Sequence, residues 1–327
     1  MQSDCSNSQL TSSLQTNRIF LPKNFDPESL KKLPTLFTIH GGAFIAGCTQ
    51  DDDNVNHALS NMHSMLVIGL NYSKAPRIQF PTPTYDLEQL VLAALSDTTL
   101  PIDEDRVALM GSSAGGNLAL SLSQLPSMCG SGDGVRRIKT IIAMYPVADL
   151  SIKREYKAQS RQYKPELGDR LVGRDDGLYP IMPIKHTVYI PPGQDLQDPL
   201  LSPIYAARTS LPPNVFIVGE ELDMLSNEAW RMICGLTGRD VGHEAPGQSS
   251  IGPFGELILD DERFSFEVNT DDGNYKWLLI PDQLHGHDHP MKGASMIISN
   301  RMLEDAKLKT EKVQRLIGEW LFRGPFA

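Results

Sequence analysis

Gly111-Ser112-Ser113-Ala114-Gly115 follows the apolar run Arg106-Val107-Ala108-Leu109-Met110 and precedes Gly116-Asn117-Leu118-Ala119-Leu120-Ser121, a helix start made of small residues. A G-x-S-x-G set between a strand and a helix is the pattern of a nucleophile elbow. The serine sits on a tight turn that pushes its Oγ out of the backbone, and the flanking glycines let strand and helix approach without a Cβ clash. Ser113 is therefore the candidate nucleophile. The pentapeptide alone is common in Gly- and Ser-rich loops, so the assignment depends on partners elsewhere in the chain.

Upstream, Pro34-Thr35-Leu36-Phe37-Thr38-Ile39-His40 has the composition of a buried strand and empties into Gly41-Gly42-Ala43-Phe44. Acyl transfer builds negative charge on a carbonyl oxygen, and backbone N–H groups fixed in a small-residue loop meet that charge without reorganising. Gly42, Ala43 and Ala114 are the expected oxyanion-hole donors. Gly41 either joins them or serves the sharp turn, and Phe44 and Ser112 are candidate substrate contacts. Downstream, Asn214-Val215-Phe216-Ile217-Val218-Gly219 is β-branched and apolar, and Asp223 lies just past it. Lys276-Trp277-Leu278-Leu279-Ile280 is a further strand, followed by Pro281-Asp282-Gln283-Leu284-His285-Gly286. The order Ser113, Asp223, His285, each just beyond a strand's carboxyl end, is the order in which α/β-hydrolases supply nucleophile, acid and base.

On these residues the chain resembles the hormone-sensitive-lipase-like branch of the α/β-hydrolases, and within it the fungal carboxylesterases. Four further stretches carry the resemblance: Asn71-Tyr72-Ser73-Lys74-Ala75-Pro76 with Phe80-Pro81 and Asp86; Tyr145-Pro146-Val147-Ala148-Asp149; Asp198-Pro199-Leu200-Leu201-Ser202-Pro203; and Asp223 to Glu228. Matches run from about residue 34 to about residue 290. The chain departs from the branch at Arg77, where Glu is usual, at Ala43, where a third glycine is common, and at Ser112, where an acidic residue often precedes the nucleophile. None of these removes a reacting atom. Ala43 offers its N–H provided the loop does not demand positive φ there. The resemblance implies a single α/β-hydrolase domain over 1–327: a mostly parallel eight-stranded sheet flanked by helices, under a helical cap formed from about 1–17 and 151–200. It also implies a serine carboxylesterase acting on small-molecule esters without metal or organic cofactor. An acyltransferase, lactonase or deacetylase tailoring a secondary metabolite would use the same three residues, and a non-catalytic small-molecule receptor would use the same scaffold.

Composition agrees. The chain has 327 residues, 40% of them hydrophobic, enough for one large core with a lid. A net charge of −10 without a dense Lys/Arg cluster argues against nucleic acid as a partner. Cys5, Cys48, Cys129 and Cys234 show no CxxC spacing, which points to reduced thiols. The polar start lacks a signal-peptide core, and no stretch reaches about 18 apolar residues, so the expectation is a cytoplasmic monomer or homodimer without a membrane span.

Arg18-Ile19-Phe20-Leu21-Pro22 and Thr140-Ile141-Ile142-Ala143-Met144 are outer and inner strand candidates, as is Ser64 to Asn71, while Thr84 to Leu95 and Ile298 to Phe322 have helical spacing. Alternating strands and helices mark a doubly wound sheet. Gly242 to Asp272, rich in glycine and acidic residues, is expected to be an irregular solvated insertion. His285-Gly286-His287-Asp288-His289 has the alternate spacing that on an extended segment would turn three imidazoles to one face, as zinc requires. A hydrolytic zinc site needs further ligands, however, and no histidine follows His289. His287 and His289 are accordingly expected to be exposed loop residues, His40 to shape the oxyanion loop, and His57, His63, His186 and His243 to serve surface or packing roles.

Overall fold

The computed structural model describes residues 17–167, 177–242, 246–248, 250–271, 273–289 and 299–327. The first cap segment, parts of the second and of the 242–272 stretch, His243 and Ile298 fall wholly or partly outside those residues. Eight strands form one sheet in the order β1-β3-β2-β4-β5-β6-β8-β7. They are β1 (Arg18–Phe20), β2 (Leu33–Ile39), β3 (Leu66–Leu70), β4 (Ile102–Ser112), β5 (Thr140–Met144), β6 (Asn214–Glu220), β7 (Ser265–Thr270) and β8 (Gly273–Ile280). The five inner pairings are parallel, while β1 and β7 run antiparallel at the two edges.

The inner strands are legible because helices cover them on both faces. Such strands are apolar throughout, and β2, β3 and β5 are buried at every position. Alternate residues feed two cores. Phe37, Leu109, Ile141 and Ile217 meet helices α2 (Thr82–Ser96), α3 (Ala114–Leu122) and α7 (Ser226–Thr237) through Leu87, Leu118 and Ile233. Leu36, Ala108, Ile142 and Phe216 meet α1 (Asp53–His63) and α8 (Asn300–Arg323) through Leu59, Ile317 and Trp320. The Ser299 side chain caps α8 by accepting the Met302 N–H. No described helix is long and apolar enough to cross a membrane.

One expectation fails at the far edge. Within the stretch expected to be irregular, Ser265 to Thr270 forms β7 and pairs with β8 from Ser265↔Leu278 to Thr270↔Gly273. An edge strand needs only one apolar face, and here Phe266 alone is buried. The alternation is too weak to stand out against acidic neighbours. The short helix α4 (Pro126–Cys129) follows α3, and in the cap region the described helices are short too: α5 (Arg154–Gln159) and α6 (Ile181–Tyr189). Tyr189 of α6 stacks on Phe44 with ring centroids 4.1 Å apart, and its carbonyl accepts the Phe80 N–H at 3.0 Å. Cys48, Cys129 and Cys234 are free thiols.

Candidate active site

Parallel pairing puts the carboxyl ends of β2, β4, β6 and β8 at one edge of the sheet. Ile39 lies beside Gly111, and Glu220 beside Ile280. The residues that follow these strands therefore converge, although they are far apart in sequence.

The elbow is fixed by sterics. Ser113 stands at φ 56 and ψ −115, a conformation that a side-chain-bearing residue adopts only under constraint. A Cβ on Gly111 would lie 2.1 Å from the Gly115 carbonyl oxygen, and one on Gly115 would lie 2.0 Å from that of Ile39. The turn is tied down as the Ser113 N–H donates to Met144 O at 2.9 Å and Ser113 O accepts the Asn117 and Val147 N–H groups. Ser113 is 8% exposed.

Ser113 Oγ lies 2.8 Å from His285 Nε2, and His285 Nδ1 lies 2.7 Å from Asp223 Oδ2. Asp223 is buried, and its Oδ1 accepts the Leu225 N–H at 2.9 Å, which ties down the carboxylate. The imidazole is further confined by the Tyr145 ring, edge-on at 4.9 Å. The three residues selected from separate loops thus form one unbroken hydrogen-bonded chain.

The loop after β2 lies against the elbow. A Cβ on Gly41 would sit 3.1 Å from Ser112 O and 3.4 Å from Ser113 Cβ. The sharp turn falls on Gly42, at φ 114, and not on Gly41; Gly42 O accepts the N–H groups of Ile45 and Ala46 at 3.0 and 2.9 Å. The condition set for Ala43 is not met, because Ala43 and Phe44 both stand at positive φ, 54 and 66. The loop demands that strain as the price of its shape, and the third glycine common in the branch would relieve it at position 43. Among the described residues the N–H groups of Gly42, Ala43 and Ala114 make no hydrogen bond. His40 shapes the loop as expected: Nδ1 donates to Gly41 O at 2.7 Å, and the ring stacks on Tyr72 at 4.6 Å. Burial, and then the Lys74 charge, holds this imidazole below the usual histidine range.

The two candidate substrate contacts face protein. Phe44 is fully buried under Tyr189, and Ser112 is buried as well. From α6, Met182 and Lys185 are buried, whereas Ile184 is exposed. Burial, and then the Lys157 charge, brings the Lys185 ammonium down to about 7, while Glu228 and Asp223 oppose the shift.

His287 and His289 are not exposed. Gly286 at φ 77 turns the segment, and the His289 N–H closes back on Gly286 O at 3.0 Å, so the three rings diverge instead of sharing one extended face. His287 is buried, with Nδ1 2.5 Å from Glu220 Oε1. His289 lies between Asp288 at 3.0 Å and Asp52 at 2.9 Å. Burial lowers its pKa, but Asp288 and Asp52 outweigh this and raise it to about 11. Two groups, Glu220 with Asp223 and His285, and Glu220 with His287 and Asp288, gather enough donor atoms to hold a cation. In both, these atoms already hydrogen-bond to each other or to Ser113 and Tyr145. Glu220 is the residue that motif reasoning passed over. Its signal is an acidic residue closing an apolar inner strand, where burial demands a partner.

A model of the alpha/beta hydrolase fold matches residues 36–246. An arylesterase of Saccharolobus solfataricus is 31% identical over 190 residues, 58% of this chain and 57% of the relative. An ethyl acetate hydrolase of Pseudomonas putida is 29% identical over 138 residues, 42% of either chain. This chain thus spans less than two thirds of the length of these relatives, and the narrower fungal likeness is not shown. In three dimensions the chain is similar to a hyperthermophilic esterase from the archaeon Pyrobaculum calidifontis, with TM-score 0.63 at 20% identity over 89% of this chain and 78% of that one. Strand order, elbow and matched length together place the chain in the α/β-hydrolase fold family.

Proposed function

We propose that the chain is a serine carboxylesterase. The observation that carries this is the relay Ser113 Oγ to His285 Nε2 at 2.8 Å and His285 Nδ1 to Asp223 at 2.7 Å. In this reading His285 takes the Ser113 proton as Oγ attacks the ester carbonyl, and Asp223 orients the ring and stabilises the imidazolium. The oxyanion rests on the N–H groups of Gly42, Ala43 and Ala114, with Gly41 setting the approach of that loop to the elbow. His285 then protonates the departing alkoxide. A water, deprotonated by His285, hydrolyses the acyl-enzyme and restores Ser113.

The stacked Phe44 and Tyr189 close one side of the site, which favours soluble esters with acyl groups of roughly two to eight carbons. The relatives named arylesterase and ethyl acetate hydrolase support small esters as the substrate class. The test is hydrolysis of p-nitrophenyl esters from acetate to laurate by the wild type and by Ser113→Ala. The expected result is highest kcat/KM at short to medium chains and its loss in the variant. Faster hydrolysis of emulsified long-chain triglyceride than of soluble butyrate, or an unaffected variant, would overturn the reading.

A further inference from the structure

The segment that carries His285 is held by a second carboxylate. Glu220, the last residue of β6, is completely buried. It accepts the N–H groups of Gly286 at 2.8 Å and His287 at 2.9 Å, and faces His287 Nδ1 at 2.5 Å. Its Oε2 also lies 3.9 Å from His285 Nδ1, beyond hydrogen-bond reach but close enough for its charge to act through a water-poor site. The two histidines thus sit on two adjacent carboxylates, Asp223 and Glu220, and one of those carboxylates serves both rings.

We propose that Glu220 and His287 form a positioning pair for His285, in which Glu220 anchors the histidine loop and sets a second negative charge beside the imidazole, while His287 offsets that charge. The inference rests on His285 being the base of the proposed reaction. Neither residue touches the reacting atoms. Burial raises the Glu220 carboxyl, and His287 opposes the rise. Burial lowers His287, but the hydrogen bond and charge of Glu220 outweigh it and hold the ring above the usual histidine value. Each partner thus favours the charged form of the other, while burial works against both.

The charged and titratable groups around His285 are Ser113 from the elbow, Asp223 and Glu220 from β6 and its loop, and Tyr145 from the end of β5. Behind Asp223 stand Lys185 of α6 and Glu228 of α7. On its own segment are His287, Asp288 and His289, the last paired with Asp52. Among these, Glu220 and His287 act on His285 with opposite sign. Removing the Glu220 charge disfavours the imidazolium, and removing the His287 charge favours it.

The experiment is the acid limb of kcat/KM against pH with a soluble p-nitrophenyl ester. Glu220→Gln is expected to move the limb down by about one unit, and His287→Gln to move it up by about half a unit, with KM little changed. A Glu220→Gln/His287→Gln double variant should return close to the wild type. Loss of packing alone would lower activity in both single variants and would not shift their limbs in opposite directions. Limbs that stay put or move the same way would overturn the proposal. If Glu220→Gln does not fold, His287→Gln decides alone: an upward shift supports the pair, and no shift or a downward one refutes it. The His285 imidazole titration, followed by NMR in the same variants, must show the same signs without any substrate, so the pair is tested even if the chain hydrolyses no ester.

Discussion

The elbow and the histidine segment bring side chains within 2.8 Å of each other, yet they are built by different forces. At the elbow, backbone meets backbone: a strand and a helix approach so closely that only hydrogen fits at Gly111 and Gly115, and Ser113 is driven to positive φ. In the histidine segment, buried charges decide. Glu220, Asp288 and Asp52 determine where His287 and His289 go, and Gly286 merely permits the turn. Steric necessity is local and leaves its mark in five consecutive letters. Electrostatic necessity is set by partners from distant strands and helices, and a histidine's own neighbours do not announce it.

That contrast can be broken or sharpened experimentally. The largest effect belongs to Ser113→Ala, which should lower kcat on the ester panel by on the order of 10⁴- to 10⁶-fold while the protein stays folded. A loss of only a few fold would mean the elbow holds a serine without using it. Next is Gly115→Ala. The new Cβ meets backbone oxygen that cannot rotate away, so denaturant unfolding should show a loss of about 3 kcal/mol or more. Gly235→Ala in α7, where nothing lies within 4 Å, should instead gain roughly 0.5–1 kcal/mol from helix propensity. Equal effects at the two glycines would refute the steric account of the elbow.

A pH series tests the charged region. His289 titrates near 11 when folded and at about 6.5 when unfolded, so its proton is held more tightly by the native state. The resulting stabilisation is complete below about pH 6.5, shrinks as pH rises, and is lost once pH passes about 11. Thermal unfolding from pH 6 to 10 should therefore show a steeper loss of Tm for the wild type than for His289→Gln. Parallel curves would mean that Asp288 and Asp52 do not hold a charged imidazole.

The same division explains what could be read from the sequence. Inner strands β2, β3, β5, β6 and β8 were legible because burial on both faces demands unbroken apolar runs. Ser113, Asp223 and His285 were legible because each follows such a run. β7 was not, since an edge strand with Phe266 as its single buried residue carries little hydrophobic signal. The positive φ at Ala43 was hidden because nothing in an alanine requires it; the demand comes from the turn in which Ile45 and Ala46 bond back to Gly42. The inward roles of His287 and His289 were invisible until Glu220 and Asp52 were placed beside them.

The central claim is that Ser113 is a nucleophile activated by His285, and covalent trapping tests it most directly. A p-nitrophenyl alkylphosphonate should react with one equivalent of protein, releasing nitrophenolate, and peptide mass spectrometry should find the adduct on Ser113. His285→Ala should slow the labelling sharply. An adduct on another residue, or equally fast labelling without the imidazole, would contradict the account.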